Sequence, residues 1–598
     1  MPRRLALLTA ILLLAEGALT GCSGAQRVAT PPEPAAPIHL TLVGINDFHG
    51  GLLDRPVGVP MDSPRAGGAA MLSAYVGAIR DENPGGVLLV DAGDMLQGPL
   101  LCNHFEGAPV AEVYNHLGVA AAAVGNHEFD YGPRGPRATT GPEDEPFGAL
   151  DAYIEAVDFP LLAANISAAE WPIPTGVVPR HMVEVQGVKV GLIGISTETT
   201  PTQTLTANVA GVRFDPIAPA VSREVAALRA EGAEVIVALA HLDGGCRTDR
   251  SWPPPEFCEP DGELNAVLEG GGGDIDAVVI GHRHEWYANE VGGVAVVEAG
   301  SRGRALSRVD LFVDTTTRRV DRSLTRISAP IEACESVPAS GSSCLDPGAA
   351  GPWTPATYGG RSVVPDAKVD TLLAPYLDQV EAICAQRLTA AAVDIGPGRG
   401  ESAAGNLVAD AMRAHAVGSH VALVNKGALR ATLAEGDVSY CDVYAMFPFD
   451  NRFVLLDLTG AELEQLLEIS TSGAGSFPHI SGFRLTVEDG PGVTRDLDGN
   501  GDSERWETDR LLAAVDDAGR ALDPEARYQL LLSDYMYGRP GHDQFVLGAI
   551  PAERVEISDE RIRDAIVELL TGREEPLGGD GGWPLPQPGR ARIELQEL

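Results

Sequence analysis

Residues 38–50 read Ile-His-Leu-Thr-Leu-Val-Gly-Ile-Asn-Asp-Phe-His-Gly, an apolar run that ends in a carboxylate and an imidazole two residues apart, Asp47 and His49. Up to Ile45 the run is aliphatic and largely β-branched, the pattern of a strand buried on both faces inside a sheet. In open α/β sheets, binding groups gather just beyond the carboxyl ends of such strands. Asn46, Asp47 and His49 occupy that place.

Working outward, residues 69–80 have helical periodicity and 87–90 form a second buried strand, followed by Asp91-Ala92-Gly93-Asp94. A helix over 109–117 leads to Gly125-Asn126-His127-Glu128-Phe129-Asp130. Further strands are expected at 188–195, 235–240, 277–280 and 294–298, with a helix over 219–231. The strand at 235–240 runs into His241-Leu242-Asp243, and that at 277–280 into Gly281-His282-Arg283-His284-Glu285. Alternating strands and helices imply a layered α/β domain with polar motifs at the strand ends.

Imidazole nitrogen and carboxylate oxygen suit divalent ions of the zinc or manganese type, and a fixed pair of ions needs about seven such ligands with one shared. Two ions roughly 3.5–4 Å apart can activate water and clamp the oxygens of a phosphoryl group. Each segment alone is a weak signal, since a lone Gly-Asp is commonly a turn. The ordered set is far more specific.

Asp-x-His, Gly-Asp, Gly-Asn-His-Glu-x-Asp, a strand-terminal His and Gly-His-x-His together resemble the calcineurin-like metallophosphoesterase family. The resemblance implies a four-layer αββα domain over residues 38–330. It implies one metal held by Asp47, His49 and His284, a second held by Asn126, His241 and His282, and Asp94 bridging both. Asp94 is chosen over Asp91 because the family places its ligand on the Asp that follows Gly. His127 and Asp130 resemble the family's catalytic dyad, in which Asp130 orients the ring and His127 stabilises or protonates the departing oxygen. Glu128 reads as structural.

At 598 residues the chain exceeds one core, so a second domain is expected. Residues 331–363, rich in Ser, Gly, Pro and Cys, read as an irregular connector within a linking region 331–376. A helix over 367–387 bridges to a second α/β region, 377–598, with helices at 404–415 and 460–471 and strands at 420–425, 452–458 and 528–533. Glu401-Ser402-Ala403-Ala404-Gly405-Asn406-Leu407, Asn425-Lys426-Gly427-Ala428-Leu429-Arg430, Phe447-Pro448-Phe449-Asp450-Asn451 and Gly541-His542-Asp543 resemble segments of the 5′-nucleotidase C-terminal domain.

That second resemblance implies a nucleotide-binding domain. Phe449 and Tyr537 are candidates to sandwich the base, a contact worth roughly 1–3 kcal/mol. Arg430 suits a forked pair with phosphate or ribose oxygens. Asn425 suits the base edge, Asp543 the ribose hydroxyls, and Arg399 lies one position from a further substrate arginine of the family. Lys426 and His542 depart from the family pattern and bear on base preference. In this family the second domain swings relative to the first, carrying substrate to the metals.

The expected activity is hydrolysis of nucleoside 5′-phosphates to nucleoside and phosphate. A 2′,3′-cyclic-nucleotide phosphodiesterase, a UDP-sugar hydrolase and a more remote sulfur-ester hydrolase use the same kind of centre. A non-catalytic nucleotide-binding surface lipoprotein is the alternative of another class. A net charge of −40 argues against a nucleic-acid partner and requires the site to concentrate positive charge locally.

Arg3 and Arg4, the apolar run 5–14 and Leu19-Thr20-Gly21-Cys22 resemble a bacterial lipoprotein signal over 1–22, with Cys22 lipidated and 23–37 as a tether. The protein is thus expected to be exported, periplasmic or at the cell surface, and held to a membrane only through that lipid. Export permits disulfides: Cys246–Cys258 and Cys334–Cys344 are the preferred pairs, with Cys384–Cys441 next and Cys102 left over. Residues 496–507 match the EF-hand loop pattern, with Asp496, Asp498, Asn500, Asp502 and Glu507 as candidate calcium ligands.

Overall fold

The strand Ile38–Ile45 lies inside a sheet, paired antiparallel with Ala305–Val313 and parallel with Val87–Asp91. Parallel pairing continues through Ala122–Ala123, Leu161–Leu162 and Val177–Val178. The computed structural model describes residues 36–56, 65–135, 140, 144–168, 176–244, 262–346, 348–349, 352–398, 400–416, 418–472, 478–497, 501–539, 541–586 and 591–596. Cys22, nearly all of the tether, the Cys246–Cys258 pair, Arg399, Asp498 and Asn500 lie outside the described residues.

A second sheet runs in the order Trp286–Val291, Val294–Ala299, Ala277–Gly281, Val235–His241, Val188–Ile195, Arg180–Val185, with its four inner strands parallel. Leu40, Leu42 and Val90 of the first sheet form one buried cluster with Leu192, Val237 and Val279 of the second, so the two sheets stack face to face. On the outer side of the first, Val43 and Ile45 pack on Leu72, Val76 and Ile79 of the helix Ala69–Glu82. On the outer side of the second, Ile193 and Ile236 pack on Val221, Val225 and Leu228 of the helix Ile217–Glu231. This is the expected αββα order, held by aliphatic side chains each contributing about 1.5–3 kcal/mol on burial.

The connector is more ordered than its composition suggests. Ile331–Glu332 adds to the first sheet, and Ser336–Pro338 with Trp353–Pro355, then Thr357–Tyr358 with Arg361–Ser362, form short antiparallel pairs. Gly and Pro punctuate these strands so closely that no period-2 pattern survives in the sequence. Cys334 and Cys344 form a disulfide there.

The helix Ala367–Cys384 begins on an Asp366 cap and packs Val369 and Leu373 into the first domain. Its last residue is disulfide-bonded to Cys441, in the helix Tyr440–Met446 of the second lobe. There a five-stranded sheet runs His479–Ser481, Val421–Val424, Arg527–Ser533, Arg452–Thr459, Val555–Arg561. The helix Ala403–His415 covers one face with Leu407 and Met412. The helix Gly460–Thr471 covers the other with Leu463 and Leu467, starting in a capping box between Thr459 and Glu462 that is worth about 1 kcal/mol. Residues 37–598 form one compact unit. Among the described residues no helix is long and apolar enough to cross a membrane.

Candidate active site

Parallel pairing sets the register of the strand ends, and with it the site. Ile45 is level with Asp91, Asp91 with Ala122, and His241 with Gly281, so the five polar motifs emerge along one edge of the stacked sheets. To turn back at that edge the chain adopts left-handed backbone at Asp47, His49, Asp94, His282 and His284, with φ between 46° and 92°. Each such non-glycine residue costs about 1–3 kcal/mol, so five of them in one place mark a site whose geometry is imposed by its surroundings. Gly125 permits the close approach: a Cβ there would lie 2.2 Å from Asp94 Oδ1.

Asp47, His49 and His284 converge with one ligand atom each, as do Asp94, His241 and His282. His49 Nε2 and His284 Nε2 are 3.0 Å apart, and His284 Nε2 lies 3.4 Å from Asp47 Oδ1. His241 Nε2 lies 3.1 Å from both Asn126 Oδ1 and Asp94 Oδ2 and 3.2 Å from His282 Nδ1. Asp94 Oδ2 is also 3.8 Å from His49 Nε2, so this carboxylate stands between the two groups. All seven side chains singled out in the sequence therefore meet in one cage.

The donor chemistry fits cations. His49 Nδ1 is 3.2 Å from the Gln97 carbonyl and His241 Nδ1 is 3.0 Å from the Ala92 carbonyl; each must carry its proton there, which leaves the Nε2 lone pairs facing inward. Asn126 donates its amide to the Gln203 carbonyl at 3.3 Å, which turns its oxygen inward too. Burial pushes His49 down to about 3 and His282 to about 4, so both are neutral ligands at ordinary pH. Asp94 opposes the burial of His241 and raises it to about 10, so with no ion present a proton on His241 does the work that a cation among these nitrogens and oxygens, 3.0–3.2 Å apart, would do.

Around the cage the packing is dense. Asp91 lies outside it, accepting from Gly93 N and Tyr114 Oη. Glu128 accepts from the amides of Asp94, Met95, Leu96 and Gly125, which fixes the turn that carries Asp94 and accords with a structural reading. His127 Nδ1 is 2.5 Å from Asp130 Oδ2, and Thr204 Oγ1 donates to the other Asp130 oxygen at 2.7 Å. Burial opposes a charge on His127, but Asp130 and Asp94 outweigh it and raise its pKa to about 9.

His127 and Asp130 open into a cavity of about 160 Å³ whose far wall belongs to the second lobe: Asn425, Arg430, Phe449, Asn451 and Tyr535. The Arg430 guanidinium stacks 5.0 Å from the Phe449 ring centroid. Tyr537 and Asp543 do not line this cavity. Both fall in or just after the short helix Asp534–Gly538, where two residues turn the chain by about 200°. Tyr535 and Tyr537 both pack on the second lobe's core, but only Tyr535 also lines the cavity, and Asp543 is held by Arg539 at 3.3 Å. Tyr535, rather than Tyr537, lines the cavity together with Phe449.

Sequence reading missed Tyr535, Gln203 and Thr204, which line the cavity. Tyr535 obeys the rule that found the metal-type residues, for it comes just after the strand Arg527–Ser533. In the 496–507 loop, both Glu507 oxygens accept amides, from Leu497 and Glu504, while the expected calcium ligands Asp498 and Asn500 lie outside the described residues.

Comparison with known proteins agrees with this geometry. Residues 40–286 match the calcineurin-like phosphoesterase family and residues 389–547 the 5′-nucleotidase C-terminal domain. The endonuclease YhcR of Bacillus subtilis is 25% identical over 93% of this chain, which spans 41% of the length of that protein. The 5′-nucleotidase of Mus musculus is 27% identical over 77% of each chain. In fold, a 5′-nucleotidase precursor from Thermus thermophilus superposes with a TM-score of 0.66 at 23% identity, covering 93% of this chain and 99% of its own.

Proposed function

Because the chain belongs to the family in which a calcineurin-like phosphoesterase domain precedes a 5′-nucleotidase C-terminal domain, and is thereby a phosphoric-ester hydrolase, we propose that it cleaves nucleoside 5′-monophosphates to nucleoside and phosphate. The observation that carries this reading is the shared cavity, which sets Phe449 and Tyr535 of one lobe against His127 and Asp130 of the other.

Asp47, His49 and His284 would hold one divalent ion, Asn126, His241 and His282 a second, and Asp94 both, with zinc or manganese the best match to the ligands. When bound, the ions supply Lewis acidity toward the phosphoryl oxygens and lower the pKa of water. The remaining work falls to side chains. Phe449 and Tyr535 take the base between their rings, and Asn425 offers an amide to its edge. Arg430 pairs with phosphate or ribose oxygens. His127, protonated below about 9 and oriented by Asp130, stabilises charge on the departing ribose oxygen and gives it a proton.

The two disulfides among the described residues favour export, and we read Cys22 as the lipid-anchor site of a periplasmic or surface lipoprotein. A phosphate-release assay across nucleoside mono-, di- and cyclic phosphates tests the proposal. Release from AMP that disappears in His127→Ala supports it, and hydrolysis confined to cyclic or sugar-linked substrates would replace it.

A further inference from the structure

Arg563 is only 1% exposed, on the inward face of the helix Ile562–Leu570 beside Ile562, Ala565, Ile566 and Leu570. Two effects oppose a cation there. Burial strips the guanidinium of water, and the first turn of a helix is the positive end of its dipole. An aliphatic residue would fill the same place without either cost. What holds the charge in place is one stretch of chain on the cavity wall.

Arg563 Nη1 donates to the Phe449 carbonyl at 3.2 Å and to the Phe447 carbonyl at 3.4 Å, and Nη2 pairs with the Asp450 carboxylate. Its planar group lies over the Tyr444 ring, 4.2 Å from the centroid. These partners fall within residues 444–450, of which Phe449 and Asp450 line the cavity, while Arg563 itself does not reach it. Arg430 is tied to the same stretch: its amide donates to the Met446 carbonyl at 2.8 Å and its guanidinium stacks on Phe449. Asn451, next in the chain, accepts from Ile562 N at 2.9 Å, so the helix that carries Arg563 fixes this residue too. A guanidinium is a rigid fork, and one bonded at once to two carbonyls and a carboxylate holds the backbone on both sides of Pro448.

We propose that Arg563 is a positioning residue for base recognition: from behind the cavity wall it sets the place and tilt at which the Phe449 ring meets the base. This rests on the nucleotide-hydrolase reading, in which Phe449 stacks on the base, and deepens it. Affinity for the base then depends on a buried side chain that touches no substrate. Affinity for a phosphate group at the metal cage, on the other lobe, does not.

The test is equilibrium binding of adenosine and of inorganic phosphate to the full, metal-loaded chain, by calorimetry, beside hydrolysis of AMP and of ribose 5-phosphate. Arg563→Met is expected to weaken adenosine binding about 10-fold or more relative to phosphate binding, and to lower kcat/KM for AMP relative to ribose 5-phosphate to a similar degree. Arg563→Lys, which keeps a donor for the carbonyls and Asp450, should recover part of both. In a Phe449→Ala background Arg563→Met should cost little more, since the two act through one ring. Where Arg563→Met fails to fold, Arg563→Lys carries the test, with a smaller loss in the same direction. Unchanged adenosine binding, an equal loss for base-bearing and base-free ligands, or a loss that adds in full to that of Phe449→Ala overturns the assignment. Because binding requires no turnover, a chain that shows the adenosine pattern but releases no phosphate from AMP refutes the proposed function and leaves Arg563 in its role.

Discussion

His127 Nδ1 and Asp130 Oδ2 lie 2.5 Å apart, and Thr204 holds the far oxygen of the carboxylate. Asp130 favours the charged form of His127, which fits the proposed role of giving a proton or offsetting negative charge. His127→Ala is expected to lower kcat about 10²–10⁴-fold. In the parent enzyme kcat/KM should fall as pH rises through about 9, and in Asp130→Asn that falling limb should move to lower pH. For stability the sign is the same: the raised pKa favours the fold fully below about 6.5, and that contribution is lost as pH climbs through about 9. A pH–rate profile beside a pH series of melting temperatures checks both.

The inward-facing lone pairs make ion removal a matter of stability as well as activity. Exhaustive chelation should abolish phosphate release and lower Tm, and restoring zinc or manganese should recover both. An ion present at a thousandfold its Kd stabilises by about 4 kcal/mol. His241→Ala removes a ligand that meets Asn126, Asp94 and His282, so elemental analysis of that variant should give about one ion per chain where the parent holds two.

Tyr535 and Tyr537 should separate cleanly. Tyr535→Ala is expected to raise KM for AMP about 5–100-fold, since a stacked base contributes about 1–3 kcal/mol. Tyr537→Ala should leave KM close to the parent value, because its ring packs on the core of the second lobe and does not line the cavity. The opposite pattern would restore Tyr537 as the base-stacking ring.

Joining Cys384 to Cys441 closes a loop 57 residues long and should stabilise the fold by about 4 kcal/mol. Cys384→Ser should therefore shift the denaturant midpoint downward, to a similar degree as Cys441→Ser, with no further loss in the double variant.

The first domain was legible because its strands are long, uncharged and β-branched, and each hands over directly to its motif: the strands at 38–45 and 188–195 fall within the bounds read from sequence. Asp94 over Asp91 came only from the family resemblance; the left-handed Gly93-Asp94 turn, which carries one carboxylate into the cage and leaves the other beneath it, is visible in the structure alone. The second-lobe wall was harder. Which of Tyr535 and Tyr537 faces the cavity depends on where a five-residue helix begins, a boundary that composition does not mark. In the connector, strands of two or three residues are too short to display a period.

The linking helix Ala367–Cys384 has its two ends committed to different bodies. Asp366 at its start is gripped by Ser73 and His116, and Tyr376 midway along it by Glu112, all from the first domain, while Cys384 at its end is covalently fixed to the second. Whatever excursion the nucleotide-carrying lobe makes must then turn about a pivot near that sulfur bridge, like a door on a pin. Reducing the bridge would leave the joint held by the short span that leads into the strand Arg387–Ala391 and by that strand's pairing with Gly436–Ser439, a looser hinge at the same place.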